Sequence, residues 1–337
     1  MIASTPVARW TWGRSDDTAD ELALCLRDVL AAYSVLAAHR LASSDPQVRV
    51  SVAESGKSNS YLFQGTLTAT RTQSTAKNAE QLAETVRAAL GAGEIGSVDA
   101  GIHCAGLLAD ETGEILQDGL FHLGASAFAD FVAVDLMTFS DAWMPYDLKG
   151  RAQPGVYTAN SARLAAALRE LAVVLDSETD PEDRTYFGKP TETGVDNYYN
   201  DDGTASDVWG RFEVPYRNRV FRHAPGFDAE GYKRSTDGEV QYVPVRGEHG
   251  VLGYLWASDA ENAASFEPLD AADEEGYKAG LLWLERLRSA YDRGLAPSEA
   301  LRRLADLPDE NGSGHVDATV APDQTDLDSL RELAAGH

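Results

Sequence analysis

SVDAGIHCAGLL (97–108), EILQDGLFHLG (114–124) and AFADFVAVDLMTF (127–139) decide the fold class of this chain. Each alternates apolar and polar positions with the period of two that marks a strand buried on one face. The turn-forming stretches 110–113 and 124–126 separate them. Strands joined by connections this short run antiparallel, so the segment reads as a meander.

Working outward, the preceding segment predicts a helix over 17–42, with Leu22, Leu26, Val29, Tyr33 and Leu36 on one stripe and a capping box of Thr18 and Glu21. Two alternating stretches at 47–52 and 60–71 predict a hairpin through Ser55, Gly56 and Lys57. A second helix is expected over 76–90, with Gly91 stopping it. After the meander, a third helix is expected over 160–175, with Asn160 as N-cap and Leu164, Leu168, Leu171 and Leu175 as its buried stripe. The order α-β-β-α-β-β-β-α implies an α+β domain with helices packed on one face of an antiparallel sheet. That domain is assigned to residues 1–176.

Residues 177–189, acidic and Pro-containing, read as a linker. A second α+β domain is expected over 190–305, with strands at GYKRS, EVQYVPV and GVLGYLWAS, a helix over 275–293, and a short helix opening at Pro297. Residues 306–337 read as an acidic, mostly disordered tail. There is no internal repeat of fixed period.

The chain carries 54 acidic against 29 basic residues over 337 positions, a formal charge of −25, and both halves are acidic. Such a field disfavours nucleic acid and anionic membrane, and favours solubility or a basic partner. No span approaches the apolar length of a membrane helix, and Arg9, Arg14 and Asp16 interrupt any signal-peptide core. Two cysteines, Cys25 and Cys104, are too few for a disulfide framework, and a reducing cytoplasm is the expected compartment.

The motifs that carry known chemistry are missing or do not survive inspection. His103 and Cys104 are adjacent on a strand, so their side chains leave opposite faces and cannot pair. DNYYNDDGT (196–204) has the acids of a calcium loop, but aligning Gly203 with the loop glycine puts Tyr198 and Trp209 where carboxylates are required. The seven histidines lack zinc-ligand spacing, and no phosphate-binding glycine loop or nucleophile elbow is present. No cofactor and no metal is expected.

What stands out is a run of aromatic and arginine residues: Tyr198, Tyr199, Trp209, Arg211, Tyr216, Arg217 and Arg219, preceded in the same stretch by Asp201 and Asp202. Tyr, Trp and Arg are the residue types that anchor protein interfaces. These nine residues are the candidate partner-binding set, with residues 211–219 read as an arginine-rich strand. Trp209 and Tyr216 fit a domain core as well.

The stretches 141–171, 190–221, 245–268 and 290–305, among them DAWMPYDLKGRAQPGVYTANSARLAAALREL and PTETGVDNYYNDDGTASDVWGRFEVPYRNRVF, resemble uncharacterised cytoplasmic proteins of actinobacteria. In its acidity and lack of a signal peptide the chain is also similar in type to immunity proteins that neutralise polymorphic toxins. That likeness implies a cytoplasmic protein-binding module that inhibits a basic partner protein, and it assigns no residue a role. The alternative is an enzyme with a site between the two domains, using Asp201, Asp202, His223 and His249 as acid and base groups.

Overall fold

The computed structural model describes residues 1–16, 20–57, 59–71, 73–110, 113–222, 231–309, 312–316 and 321–335. The fold is α+β with antiparallel sheets, and the chain divides into two compact units, Met1–Val208 and Trp209–His337.

In the first unit, strands β1 (Ala8–Ser15), β2 (Gln47–Glu54), β3 (Tyr61–Thr68), β4 (Ile95–Asp110), β5 (Gly113–Phe128), β6 (Phe131–Thr138) and β7 (Asp180–Pro181) form one sheet in the order β3-β2-β4-β5-β6-β1-β7. A separate hairpin pairs β8 (Lys189–Thr191) with β9 (Gly194–Asp196). Helices α1 (Glu21–Ala38), α2 (Thr75–Ala89) and α3 (Pro154–Val174) belong to the same unit.

The three strands of the meander are present, but the turn expected at 124–126 is not there: Gly124, Ala125 and Ser126 lie within β5, paired with Asp135, Val134 and Ala133 of β6, and the chain reverses at Ala129 and Asp130 instead. Val98, Ala100, Ile102 and Cys104 of β4, Phe121, Leu123, Ala125 and Ala127 of β5, and Val132, Val134 and Leu136 of β6 are all buried. They share one face with Val48, Val50 and Val52 of β2, and α1 packs there through Leu22, Leu26, Val29 and Leu36. The other face carries Arg49, Asp99, His103, Ser126 and Phe131, all exposed.

Several sequence expectations are corrected. β1 had not been read as a strand, yet Ala8, Trp10 and Trp12 are buried in strict alternation, and the strand pairs with β6 along its whole length. The expected linker 177–189 is stitched to it. Asp180 and Pro181 extend the sheet beside Thr11 and Trp10, Glu182 N–H donates to the Arg9 carbonyl (3.1 Å), and Thr185 Oγ1 donates to the Val7 carbonyl (2.8 Å). The division between units therefore falls at 208/209, because a segment bonded to an inner strand belongs to that strand's core.

Helix α1 starts later than expected. Asp20 is its N-cap, its carboxylate accepting from Ala23 N–H at 3.1 Å, whereas Thr18 of the expected capping box lies outside the described residues. Helix α3 begins at Pro154, which needs no amide partner in a first turn. Asn160 is thus inside the helix and not its cap. Its side chain accepts from Ala109 N–H (3.0 Å) and donates to the Ala109 carbonyl (2.7 Å), fastening α3 to β4.

In the second unit, β10 (Glu239–Gly247), β11 (Gly250–Ser258) and β12 (Ala263–Pro268) form a meander, and β13 (His315–Val316) and β14 (Asp323–Asp326) both pair with β10. The stretch GYKRS contributes only an isolated bridge, Lys233 to Ala263. Trp209–Glu213 forms a π-helical turn that runs into α4 (Val214–Arg222), followed along the chain by α5 (Asp273–Asp292), α6 (Pro297–Leu304) and α7 (Leu327–Ala335). The expected arginine-rich strand is therefore helix. The expected disordered tail supplies β13, β14 and α7, and Leu327 and Leu330 of α7 pack with Val240, Trp256 and Ala263.

Candidate functional site

The expected partner-binding residues fall into two groups. Tyr198, Tyr199, Asp201 and Asp202 lie in the first unit, and Trp209, Arg211, Tyr216, Arg217 and Arg219 in the second. The 196–204 stretch is a closed turn: Asn200 N–H donates to the Thr204 carbonyl (2.8 Å), and Gly203 takes φ +81°, a conformation that favours glycine. The Asp202 carboxylate accepts from both the Thr204 amide (2.9 Å) and hydroxyl (2.6 Å), which lowers its pKa. Tyr198 donates its hydroxyl to the Thr185 carbonyl at 2.6 Å, with Lys189 over its ring. Tyr199, 52% exposed, lies edge-on to Tyr146 with ring centroids 6.1 Å apart, and Asp201 and Asp202 are exposed.

The second group is mostly internal to its own unit. Trp209 is 1% exposed, and its indole N–H donates to the Asp273 carboxylate. Arg217 donates to the buried Glu213 carboxylate at 2.5 Å, with its guanidinium 4.9 Å from the Trp209 ring centroid. The i, i+4 spacing of Glu213 and Arg217 fits the helix and explains why a strand reading fails here. Arg219 stacks over Tyr216 at 5.5 Å, and Arg211 is exposed. Trp209 and Arg217 therefore hold the fold of their unit together and do not stand out as anchors.

The acid and base groups considered for an enzyme belong to different units. Asp201 and Asp202 sit on the turn just described, and His249, in the other unit, is exposed with Glu275 3.6 Å away. His223 lies outside the described residues.

The feature that sequence reasoning missed is the helix-free face of the seven-stranded sheet. Register places Arg49, Gly101, Gly124, Asp135, Thr11 and Asp180 side by side across β2, β4, β5, β6, β1 and β7. In the adjoining row stand His103, His122, Met137 and Arg9. Two glycines at the centre leave a floor of bare backbone, and neighbouring side chains lie down on it. A Cβ at Gly124 would meet Asp135 Oδ1 at 2.4 Å, and one at Gly101 would meet His122 Nε2 at 3.2 Å.

The rings of His103 and His122 are 4.7 Å apart. Burial, reinforced by His103 and the two arginines, lowers the His122 pKa against the opposing pull of Asp135. Burial raises that of Asp135, only partly offset by Arg9. Arg9 Nε and Asp135 Oδ2, 3.9 Å apart, have no hydrogen-bond partner among the described residues. Among the described residues no group of three or more His, Cys, Asp or Glu is arranged to hold a metal ion.

Beside this cluster, towards β7, the same face sinks into a hollow of about 670 Å³ lined by Thr11, Gly13, Phe131, Ala133, Asp176, Ser177, Glu178 and Asp180. Phe131 is 49% exposed, and its ring lies across Gly13, where a Cβ would stand 2.7 Å from it. Phe128, opposite Phe131 on β5, is 65% exposed. The hollow thus offers an aromatic ring and the Asp180 carboxylate from the sheet and the Asp176 and Glu178 carboxylates from the loop that precedes β7, an arrangement that suits a cationic group.

No family model, curated protein or solved structure matches this chain. Among the described residues no helix is long and apolar enough to cross a membrane.

Proposed function

We propose that this protein is an acidic protein-binding module that captures a basic partner, in the manner of an immunity-type inhibitor. The observation that supports this reading best is the acid-lined hollow on the uncovered sheet face: Asp176, Glu178 and Asp180 beside the exposed ring of Phe131. A lysine or arginine side chain of a partner entering there meets carboxylates and an aromatic face together, while Phe128 supplies apolar contact at the rim. The wider charge of −25 accelerates encounter, and the hollow retains what has been steered to it.

The test uses an arginine- and lysine-rich peptide as the probe, titrated by calorimetry across a salt series. Glu178→Gln with Asp180→Asn is compared with Asp201→Asn together with Asp202→Asn, which removes the same charge from the 196–204 turn. Loss of affinity on the sheet-face pair alone supports a localised site. Equal loss on both pairs would mean that only net charge is being read, and the site assignment fails.

The enzyme reading draws on the His103–His122 ring pair, 4.7 Å apart on the same sheet face as Asp135, where burial lowers the His122 pKa. A neutral imidazole on a rigid floor is the form a general base needs. Turnover of any ester or amide panel member that His122→Gln abolishes, with the fold intact, would favour it over binding.

A further inference from the structure

Strand β3 closes one side of the seven-stranded sheet, and nothing about its sequence protects that edge. Its eight residues, YLFQGTLT, contain no charge and no proline, and the uncharged run extends over 58–70 in a chain where a quarter of the residues are charged. Soluble proteins ordinarily blunt an edge of this length with lysine, proline or a covering element. Among the described residues the backbone cover lies at the start of the strand, where Gly91 N–H donates to the Leu62 carbonyl at 2.8 Å.

The direction of the remaining backbone groups follows from the register. Ala69 N–H donates inward to the Pro46 carbonyl at 3.0 Å, and the pairing of β3 with β2 is unbroken from Phe63 to Thr68. In an antiparallel pair the inward and outward groups alternate, so Gln64, Thr66 and Thr68 direct their N–H and C=O away from β2. All three residues are exposed, and among the described residues none has a backbone partner on that side.

We propose that this edge pairs with the same edge of a second copy of this chain, antiparallel about a two-fold axis at Thr66, with Gln64 opposite Thr68 of the partner subunit. In that register every outward N–H and C=O of the three residues meets a complement, and both copies keep their helices on the same side of the joined sheet. The side chains brought together on the helix-free face are threonine and glutamine, which form cross-strand hydrogen bonds. Charge selects the location. Two molecules at −25 each repel almost everywhere, and the open edge of β3 is a stretch that carries no charge. This pairing is independent of the sheet-face hollow, which lies beside β7 at the opposite side of the sheet.

The experiment is sedimentation velocity on the full chain from micromolar to millimolar concentration, for wild type, Thr66→Lys and Thr66→Pro. The expected result is a concentration-dependent dimer for wild type and a monomer for both variants, with melting temperature unchanged in Thr66→Lys. Thr66→Cys adds a readout that does not depend on those variants folding well: on mild oxidation it becomes a covalent dimer, whereas Ser126→Cys, exposed on β5, does not. A wild-type chain that stays monomeric, a Thr66→Lys variant that dimerises as wild type does, or a Thr66→Cys variant that fails to cross-link would each overturn the proposal. So would occupation of this edge by an extended segment of a different protein in place of the second copy.

Discussion

At the scale of single residues, the sheet separates its chemistry by face. Cys104 points into the apolar core, where burial pushes its thiol up to about 12, and burial raises Cys25 further still. Neither is a nucleophile at neutral pH. Both thiols should therefore stay unreactive towards Ellman's reagent at pH 8 in the native state and react once the chain is unfolded. Prompt reaction of either would show that the core admits solvent.

Across the sheet from them, His122 sits below its ordinary value of 6.5. A lowered histidine pKa means that the unfolded chain binds the extra proton first, so stability rises with pH between the folded value and about 6.5, and this contribution is lost as acid is added. Urea melts over that range should show the dependence flattened in His122→Gln, and an NMR titration of the ring should place its midpoint below that of an unfolded control. Gly124 makes the packing beneath this cluster testable. Gly124→Ala drives a Cβ against Asp135 and is expected to destabilise by about 1–3 kcal/mol. Asp135→Ala should relieve part of that loss in the double mutant, a coupling that a cycle of urea melts reads directly.

At the scale of elements, helix termini and hairpins show what local chemistry decides. Asp20 holds the first turn of α1 by accepting from Ala23 N–H, so Asp20→Ala is expected to cost about 1 kcal/mol in an equilibrium melt. The Pro297 start of α6 and the leucine stripe of α3 were legible from spacing alone. The strand β1 carries an equally clear signal in ARWTWGRS, where Trp10 and Trp12 stand two apart, although its arginines and Gly13 interrupt the apolar pattern. The 211–219 stretch misleads for the opposite reason. Its aromatic and arginine residues suit a strand by composition, whereas the i, i+4 spacing of Glu213 and Arg217 is the sequence signal that marks it as helix.

At the scale of the whole molecule, the division into Met1–Val208 and Trp209–His337 gives the C-terminal residues a structural role. Leu330 is fully buried against the sheet of its unit, so Leu330→Ala should cost about 2–5 kcal/mol. Deleting residues 307–337 strips two strands from β10 and uncovers Trp256, and should lower the melting temperature where removal of a loose tail would leave it unchanged.

The sequence by itself determined the class of fold, since apolar alternation at 97–139 and leucine stripes at helical spacing depend on which face each residue presents to water. It also determined the charge that any partner must answer. Tertiary structure alone decided where the units divide, because the bonds that tie 177–189 to β1 join residues far apart in the chain, as between Arg9 and Glu182. It alone decided the candidate surfaces as well. Asp135, His122, Phe131 and Glu178 come from two strands and a loop, and no spacing along the chain records that antiparallel register sets them on one bare face. The open edge of β3 is intermediate: its lack of charge is written in the sequence, but that it is an edge follows only from the strand order.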